Sequence, residues 1–286
     1  MAQSEATVWT TAKGTVRVEV DNGIGWLSFN RPEKRNAMSP TLNVEMTESL
    51  ERLEADDRVR VVVLTGAGES WSAGMDLKEY FRDVDQAPPH VQTRVRRESA
   101  EWQWRRLINY PKATIAMVNG WCFGGAITPL VCCDLAIAAD TAVFGLSEVN
   151  WGIPPGGLVS RSLAETVSTR DALWLIMTGE PIDGVRAAEM RLVNEAVPRE
   201  RLRERTIEVA HKLAAVSPSV MRAAKGGFRK ARLMAWDDAE EFLYAKFDQG
   251  ILADPERSKQ RGLEGFLDTK SFRPGLGAQA DQARGG

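Results

Sequence analysis

Histidine and cysteine are scarce in this chain of 286 residues, which contains two histidines and three cysteines. His90 and His211 lie outside every glycine-rich segment, so neither a Ser-His-Asp triad nor a histidine-based metal site is expected. Cys122, Cys132 and Cys133 stand among apolar residues without metal-ligand spacing, which indicates buried, reduced thiols. We therefore expect no metal ion in the functional site.

A strong charge imbalance and a long apolar run are also lacking. The formal net charge is -2 and there is no long run of Lys and Arg, so nucleic acid and an anionic membrane surface are not expected as partners. Residues 1–14 do not have the pattern of a signal peptide, and no apolar run is long enough to span a bilayer. These features predict a cytoplasmic protein.

Strand and helix signals alternate through the first two thirds of the chain. The segments Thr15–Val20 and Ile24–Phe29 flank an Asp-Asn-Gly turn, which predicts a β-hairpin. Ser39 and Pro40 then supply a capping hydroxyl and a proline suited to the first helical position. A helix is therefore predicted directly after the hairpin.

The remaining pattern divides the chain into two parts. Buried strands are predicted over three apolar segments: Val61–Leu64, Thr114–Val118 and Leu135–Ala138. Helices between these strands imply parallel crossovers. From about Glu200 onward, four helices are predicted in succession: Leu202–Leu213, Pro218–Ala231, Asp237–Leu252 and Glu256–Leu267. We thus predict an α/β core over residues 1–200, a helical segment over 201–275 and a disordered tail over 276–286.

Two glycine-rich segments follow strand-like apolar runs. SAGMDL occupies Ser72–Leu77, and FGGA occupies Phe123–Ala126. Glycine allows a ligand to approach backbone N–H groups closely, and two such donors can polarise one carbonyl. A helix is expected to begin near Gly125, and its partial positive charge favours an enolate oxygen. Two ordinary turns at strand ends are the alternative.

A third segment, Phe144–Gly157, contains the carboxylate best suited to proton transfer. Glu148 stands among the apolar residues Leu146, Val149 and Trp151. Desolvation by such neighbours raises the pKa of a carboxyl group toward the working pH, as a group that acts in turn as base and acid requires. A structural glutamate with a polar partner is the alternative.

Four segments carry a resemblance to a known family: RPEKRNAM at Arg31–Met38, AGMDLKEYF at Ala73–Phe81, NGWCFGG at Asn119–Gly125 and GLSEVNWGIPPG at Gly145–Gly156. From about residue 14 to about residue 275 the chain resembles the crotonase (enoyl-CoA hydratase/isomerase) superfamily. More narrowly, it resembles the hydroxycinnamoyl-CoA hydratase-lyases, also called feruloyl-CoA hydratase/lyase or vanillin synthase. The resemblance implies an α/β crotonase-like fold of repeated ββα units with a C-terminal helical segment. It also implies a homotrimer or homohexamer.

The resemblance assigns roles to the candidate catalytic residues. The backbone N–H groups of Met75 and Gly125 would form an oxyanion hole. Glu148 would activate water for addition to the β-carbon and return a proton to the α-carbon. Ordinary enoyl-CoA hydratases carry a second glutamate at the position of Thr128, whereas the lyases have a small hydroxyl residue there, usually serine. Such a hydroxyl can hydrogen-bond water or a new β-hydroxyl, and a packing threonine is the alternative.

The remaining candidate residues would bind the two ends of the substrate. By resemblance, Tyr80 and Tyr244 bind its phenolic hydroxyl, unless they are core tyrosines. Lys34, and more weakly Arg35, can meet a phosphate of coenzyme A or remain solvated surface charges. The resemblance places five residues along the thioester arm: Ala73, Gly74, Asp76, Leu77 and Lys78. Two more would shape the pocket beyond the glutamate, unless they are a core tryptophan and a turn glycine: Trp151 and Gly156.

The function implied is hydration of a 4-hydroxycinnamoyl-CoA thioester, such as feruloyl-CoA, p-coumaroyl-CoA or caffeoyl-CoA. Retro-aldol cleavage to an aromatic aldehyde and acetyl-CoA would follow, with no cofactor beyond the coenzyme A of the substrate. Two alternatives stay open. An enoyl-CoA hydratase for aliphatic substrates is disfavoured by Thr128, and a CoA-ester-binding scaffold without turnover is disfavoured by Glu148.

Overall fold

The computed structural model describes residues 6–271 and contains two β-sheets. Its strands are β1 (Thr7–Thr10), β2 (Val16–Asp21), β3 (Ile24–Phe29), β4 (Val61–Gly66), β5 (Ser70–Ser72), β6 (Ala113–Val118), β7 (Trp121–Phe123), β8 (Leu135–Ala139), β9 (Val143–Gly145), β10 (Ile182–Asp183) and β11 (Glu195–Val197). The larger sheet has the order β1-β2-β3-β4-β6-β8-β11, and the smaller has the order β10-β9-β7-β5. The tail predicted over 276–286 lies outside the described residues.

The helices connect these strands and then follow them. They are α1 (Pro40–Ala55), α2 (Asp83–Asp85), α3 (Pro89–Ala100), α4 (Leu107–Asn109), α5 (Ile127–Cys132), α6 (Val159–Thr166), α7 (Thr169–Thr178), α8 (Gly184–Glu189), α9 (Leu202–Ala214), α10 (Pro218–Ala231), α11 (Trp236–Leu252) and α12 (Ser258–Leu267). Two segments form wider π-helical turns: Leu77–Arg82 and Glu101–Arg106. Four form short 3-10 turns: Pro32–Lys34, Gly124–Ala126, Glu148–Trp151 and Arg199–Arg201.

The predicted hairpin and the helix after it are confirmed. Strands β2 and β3 pair antiparallel, and Asn22 and Gly23 turn between them with φ angles of 47° and 82°. Both residues tolerate this left-handed conformation, which matches the twist of a two-residue hairpin. Helix α1 begins at Pro40, where the Ser39 hydroxyl accepts a hydrogen bond from the Leu42 amide at 3.2 Å. Four residues at helical spacing along α1 are fully buried: Leu42, Met46, Leu50 and Leu53.

The repeated unit of the fold is a strand of the large sheet, a short strand of the small sheet and a helical segment. This order is seen in β4-β5 with the Leu77–Arg82 turn, in β6-β7-α5 and in β8-β9-α6. In the large sheet β3 and β4, β6 and β8, and β8 and β11 pair in parallel, as the predicted crossovers require. The apolar residues of β4 and β6 are buried on both faces of the sheet, which is typical of parallel strands covered by helices. The chain therefore has the predicted α/β fold of ββα units.

The described chain divides into two compact units. Within residues 6–271, the first contains residues 6–110 and 114–207, and the second contains residues 111–113 and 208–271. The second unit is helical and includes α10 and α11, which meet at small residues: a Cβ built on Gly250 would lie 2.9 Å from the Cβ of Ala223. Among residues 6–271, no helix is both long and apolar enough to cross a membrane.

Candidate active site

Three neighbouring strands of the small sheet lead to the candidate catalytic residues. Strands β5, β7 and β9 lie side by side and run parallel, so their carboxyl ends meet at one edge of the sheet. Gly74 and Met75 follow β5, Gly124 and Gly125 follow β7, and Glu148 follows β9. The fold thus brings together three segments that are widely separated in the sequence. Ligand sites in parallel sheets commonly lie beyond the carboxyl ends of the strands.

The direction of the Met75 amide follows from a bridge to Met38. The Met38 N–H donates to the Gly74 carbonyl at 2.8 Å, and the Asp76 N–H donates to the Met38 carbonyl at 3.0 Å. Backbone groups alternate in direction along an extended chain, so the N–H of Met75 points away from Met38. This bridge, formed by a methionine that sequence analysis did not single out, leaves the Met75 amide available to a ligand.

The amide of Gly125 lies beside the same segment. Gly74 has a φ of 87°, and a Cβ built on it would lie 3.3 Å from the Gly125 nitrogen and 2.5 Å from the Phe123 carbonyl oxygen. Only glycine allows both this conformation and this close approach. The Met75 side chain packs against the α-carbon of Gly125, where an added Cβ would lie 2.9 Å from Met75 Cγ. The two candidate oxyanion-hole residues are therefore in direct contact.

Asn36 supports the strand end that carries Gly74, a role that sequence analysis missed. Its amide nitrogen donates to the carbonyls of Ala67 at 2.9 Å and Ser70 at 2.7 Å. Its own carbonyl accepts a hydrogen bond from Ser72, whose hydroxyl in turn accepts one from the Gly74 amide. Asn36 has a φ of 57°, and the tolerance of asparagine for this conformation is the signal that could have identified it.

The side chain of Asp76 has a structural role, in addition to the contact that its backbone is predicted to make with the thioester arm. Its carboxylate caps the π-helical turn by accepting hydrogen bonds from the amides of Lys78 and Glu79, and it pairs with Arg31 at 3.0 Å. Burial alone would raise the pKa of Asp76, but the Glu79 amide and the Arg31 guanidinium together lower it. The side chain is thus held as an anion that fixes the start of the Leu77–Arg82 turn.

Glu148 lies against the second glycine segment. A Cβ built on Gly124 would lie 3.0 Å from Glu148 Oε1, and Gly124 has a φ of 54°, so a glycine is needed on both grounds. Glu148 Oε2 is buried and has no hydrogen-bond partner among residues 6–271. Burial raises the pKa of the carboxyl group, against a smaller opposing effect of its own backbone amide. The predicted desolvation is therefore present, and the alternative of a glutamate held by polar partners is not supported.

Thr128 and Tyr80 lie on elements that adjoin these segments. Thr128 is buried in the first turn of α5, three residues after Gly125. Tyr80 is half-buried in the Leu77–Arg82 turn, and its ring meets that of Phe81 edge to face, with 5.3 Å between centroids. Both residues therefore belong to the unit that contains Glu148.

The candidate coenzyme A contacts differ in their surroundings. Lys34 and Arg35 are exposed, and the Arg35 guanidinium lies 4.8 Å from the centroid of the Trp121 ring. Arg35 therefore already has a cation-π partner, whereas Lys34 presents a charge to solvent. Trp151 is 68% exposed and Gly156 is also exposed, so the alternative of a core tryptophan is wrong.

Tyr244 lies on α11 in the second unit, and its side chain is 66% exposed. The alternative of a tyrosine packed in the core is therefore wrong within the described chain. An exposed phenol is free to meet a ligand, and its role in substrate binding stays a prediction.

The arrangement in the first unit has a definite chemical capacity. Two adjacent backbone amides can hold the oxygen of a carbonyl as negative charge develops on it. Beside them is a carboxylate whose raised pKa suits both uptake and release of a proton. Together these groups can form and protonate an enolate, which is the chemistry of addition to an α,β-unsaturated thioester.

Known proteins share this architecture and sequence. The sequence profile of the enoyl-CoA hydratase/isomerase family matches residues 19–273. The hydroxycinnamoyl-CoA hydratase-lyase of Pseudomonas fluorescens is 59% identical over 264 residues, which cover 92% of this chain and 96% of the relative. The (E)-benzylidenesuccinyl-CoA hydratase of Thauera aromatica is 31% identical, over 90% of this chain and 97% of that protein. A crystal structure of an enoyl-CoA hydratase from Bacillus anthracis has a TM-score of 0.80 and 28% identity, and the match covers 89% of this chain and 96% of that one.

Proposed function

The chain belongs to the enoyl-CoA hydratase/isomerase family, and on that basis we propose that it is a hydroxycinnamoyl-CoA hydratase-lyase. The observation that supports enzymatic activity is the buried carboxylate of Glu148, which lies beside Gly124 and has one oxygen without a hydrogen-bond partner among residues 6–271. Burial of an unpaired carboxylate destabilises the folded chain, and a scaffold that only bound CoA esters would have no need of it. Lyase rather than simple hydratase activity is supported by Thr128 and by the 59% identical relative.

Hydration is the first step of the proposed reaction. The thioester carbonyl of a 4-hydroxycinnamoyl-CoA accepts hydrogen bonds from the amides of Met75 and Gly125. Glu148 takes a proton from water while the oxygen of that water adds to the β-carbon, and the electrons of the double bond move to the carbonyl oxygen. The protonated Glu148 then donates to the α-carbon. The product is a β-hydroxy thioester, and Glu148 is ionised again.

Cleavage is the second step and uses the same groups. Ionised Glu148 takes the proton of the β-hydroxyl, whose oxygen forms a carbonyl with the β-carbon while the bond between the α-carbon and β-carbon breaks. The electrons of that bond pass to the thioester carbonyl and form the enolate of acetyl-CoA, which the two amides stabilise. Protonated Glu148 then gives its proton to the carbon of the enolate, which yields acetyl-CoA, and the other product is an aromatic aldehyde. No electrons are gained or lost overall, and the two amides take the place of a Lewis acid at the carbonyl oxygen. We therefore propose that the reaction needs neither a metal nor a cofactor beyond substrate-borne coenzyme A.

Incubation with feruloyl-CoA tests this proposal, with crotonyl-CoA as the comparison substrate. The proposal expects equal amounts of vanillin-type aldehyde and acetyl-CoA from feruloyl-CoA, and little turnover of crotonyl-CoA. Rapid hydration of crotonyl-CoA without cleavage of feruloyl-CoA would instead identify an aliphatic enoyl-CoA hydratase. Binding of both esters without turnover would identify a non-catalytic scaffold.

Thr128→Ala is expected to slow turnover of feruloyl-CoA less than removal of the Glu148 carboxylate does. A lost positioning hydrogen bond costs about 1 to 3 kcal/mol, which corresponds to a reduction of about 5-fold to 150-fold. Steady-state kinetics of Thr128→Ala and Thr128→Ser measure the effect, and the serine variant should retain most of the activity. A loss in Thr128→Ala as severe as that in Glu148→Gln would show that the hydroxyl has a more direct role.

We further propose that the protein forms homotrimers or pairs of trimers. Large apolar side chains on the helices of the second unit support this proposal, among them Trp236, which is 93% exposed. Apolar surface of this kind commonly marks a protein interface. Light scattering should give the mass of three or six chains, and the mass of a single chain would contradict the proposal.

Three buried cysteine thiols support a location in the reducing cytoplasm.

A further inference from the structure

Gln103 is a buried polar residue that the reaction described above does not use. It lies in the π-helical turn Glu101–Arg106, and its side chain is only 7% exposed. Its amide nitrogen donates to Ser99 Oγ at 2.9 Å and lies 3.4 Å from the sulfur of Met75. Single π-helical turns within longer helices are frequently associated with functional sites.

The Met75 side chain connects this glutamine to the candidate oxyanion hole. Its sulfur receives the Gln103 amide, and both its Cγ and its sulfur pack against the α-carbon of Gly125, at 2.9 and 3.2 Å from a Cβ built there. The backbone N–H of Met75 is one of the two proposed donors to the thioester oxygen, and that of Gly125 is the other. The position of the Met75 side chain therefore affects the distance between the two donor amides.

An unbranched methionine needs such a restraint. Methionine has three rotatable side-chain bonds and fills irregular space without a fixed shape. The neighbouring Met38 sulfur, at 3.8 Å from the same glutamine nitrogen, is equally adaptable. Gln103 is the polar group that gives the Met75 sulfur a fixed neighbour, and Ser99 orients its amide.

We propose that Gln103 is a positioning residue that holds Met75 against Gly125 and thereby sets the separation of the two oxyanion-hole amides. This inference rests on the proposed function. Oxyanion-hole donors act only when they are placed where charge develops, so a small displacement lowers the rate with little effect on ground-state binding. Gln103 does not touch substrate in this proposal and acts through Met75.

Gln103→Met tests the proposal because it keeps the length and apolar volume of the side chain and removes the donor. We expect kcat for feruloyl-CoA to fall about tenfold, with KM changed by less than about twofold. Tyr110→Phe is the matched control rather than Trp102→Phe, because Trp102 shares its acceptor Asn43 with the Gln103 amide nitrogen, which lies 3.5 Å away. The Tyr110 hydroxyl is buried in the same unit and donates to the Leu50 carbonyl at 2.7 Å, so its loss removes a buried hydrogen bond that Gln103 does not share. The control should lower thermal stability and leave kcat within about twofold of the parent.

A spectroscopic measurement separates positioning from a merely structural role. Feruloyl-CoA is a conjugated donor-acceptor chromophore, and hydrogen bonds to its carbonyl shift its absorption to longer wavelength. The shift is measured on ester bound to Glu148→Gln, which should not consume it, and again after Gln103→Met is added. The proposal expects a smaller shift in the double variant at full occupancy. An unchanged shift together with parental kcat in Gln103→Met would overturn it, as would an equal loss of kcat in Tyr110→Phe.

Met75→Leu provides a second test from the other side of the contact, should Gln103→Met not fold. It removes the sulfur at similar volume, so kcat should again fall with KM retained, and parental kcat would overturn the proposal. Where both variants fold, adding Gln103→Met to Met75→Leu should have little further effect, since coupled residues are not additive. Turnover of feruloyl-CoA by the parent is measured first. Its absence contradicts the proposed function, whereas parental behaviour of these variants contradicts only the role of Gln103.

Discussion

The Glu148→Gln variant is expected to turn over feruloyl-CoA about a thousandfold more slowly than the parent, or slower still. Glutamine can neither take a proton from water nor return one to the α-carbon, and proton transfer by a positioned group contributes about 10²-fold to 10⁴-fold to a rate. Glu148 serves as both base and acid in the proposed reaction, so the loss should lie toward the upper end. Steady-state assay of aldehyde and acetyl-CoA measures it.

Binding should survive the same substitution. Glutamine has nearly the size of glutamate, and the direction of the Met75 amide follows from the bridge to Met38 rather than from Glu148. The dissociation constant for feruloyl-CoA is therefore expected to stay within about threefold of the parent value. Glu180→Gln, a change at an exposed glutamate, is the matched control and should leave both rate and affinity unaltered. Near-parental turnover by Glu148→Gln would remove Glu148 from the mechanism.

The pH dependence of the parent should identify the same group. Activity requires ionised Glu148, so kcat/KM should fall as pH decreases through a pKa that lies above the ordinary range for glutamate, because burial raises it. The folded protein also binds this proton more tightly than the unfolded chain does. The contribution of Glu148 to stability therefore decreases as pH rises from the unfolded pKa through the folded pKa. Glu148→Gln should consequently be more stable than the parent above that interval, and the difference should vanish below it.

The fold could be predicted wherever neighbouring residues determine it. Asn22 and Gly23 adopt left-handed conformations at little cost, so this turn between two strand-like segments predicts the hairpin. The hydroxyl of Ser39 and the ring of Pro40 fix the start of α1 through contacts within one helical turn. The raised pKa of Glu148 is also predicted from the sequence, on the ground that its sequence neighbours are apolar, and burial is its cause in the folded chain.

The contacts that shape the candidate site could not be predicted in this way. Met75 and Gln103 are 28 positions apart, and Arg31 and Asp76 are 45 apart, so only the folded chain brings each pair together. Likewise, a glycine at position 74 indicates an unusual backbone conformation. It does not indicate that the Phe123 carbonyl oxygen lies where a side chain would be. Local patterns identify which residues are unusual, and tertiary packing decides what they touch.

A substrate without the 4-hydroxyl group should bind to the enzyme and scarcely be cleaved. We propose in addition that the phenol of the substrate takes part in the retro-aldol step by supplying electron density through the ring to the β-carbon, at which the bond breaks. Cinnamoyl-CoA has no such group, so its cleavage is expected to be slower than that of feruloyl-CoA by about 10²-fold or more, which corresponds to about 2.7 kcal/mol of barrier. A 3-methoxy group should matter less, because it does not take part in this electron movement.

The two tyrosines proposed to bind the phenol extend this prediction to the protein. Tyr244→Phe should reduce turnover of feruloyl-CoA about 10-fold to 150-fold, since a hydrogen bond to a developing phenolate is worth about 1.5 to 3 kcal/mol. The same variant should bind cinnamoyl-CoA as the parent does. Tyr110→Phe is the matched control: that hydroxyl donates to the Leu50 carbonyl at 2.7 Å, so its loss should lower stability without changing the preference between the substrates.

The outcomes of these two experiments separate the residue from the mechanism. If Tyr244→Phe weakens binding of feruloyl-CoA and cinnamoyl-CoA equally, Tyr244 contributes packing rather than a hydrogen bond to the phenol, and the electron movement through the ring is unaffected by that result. If the parent cleaves cinnamoyl-CoA as fast as feruloyl-CoA, the reaction does not need electron density from a 4-hydroxyl group on the ring. Cleavage would then depend only on the enolate held by Met75 and Gly125 and on proton transfer by Glu148, and selection for a phenolic substrate would have to arise in binding.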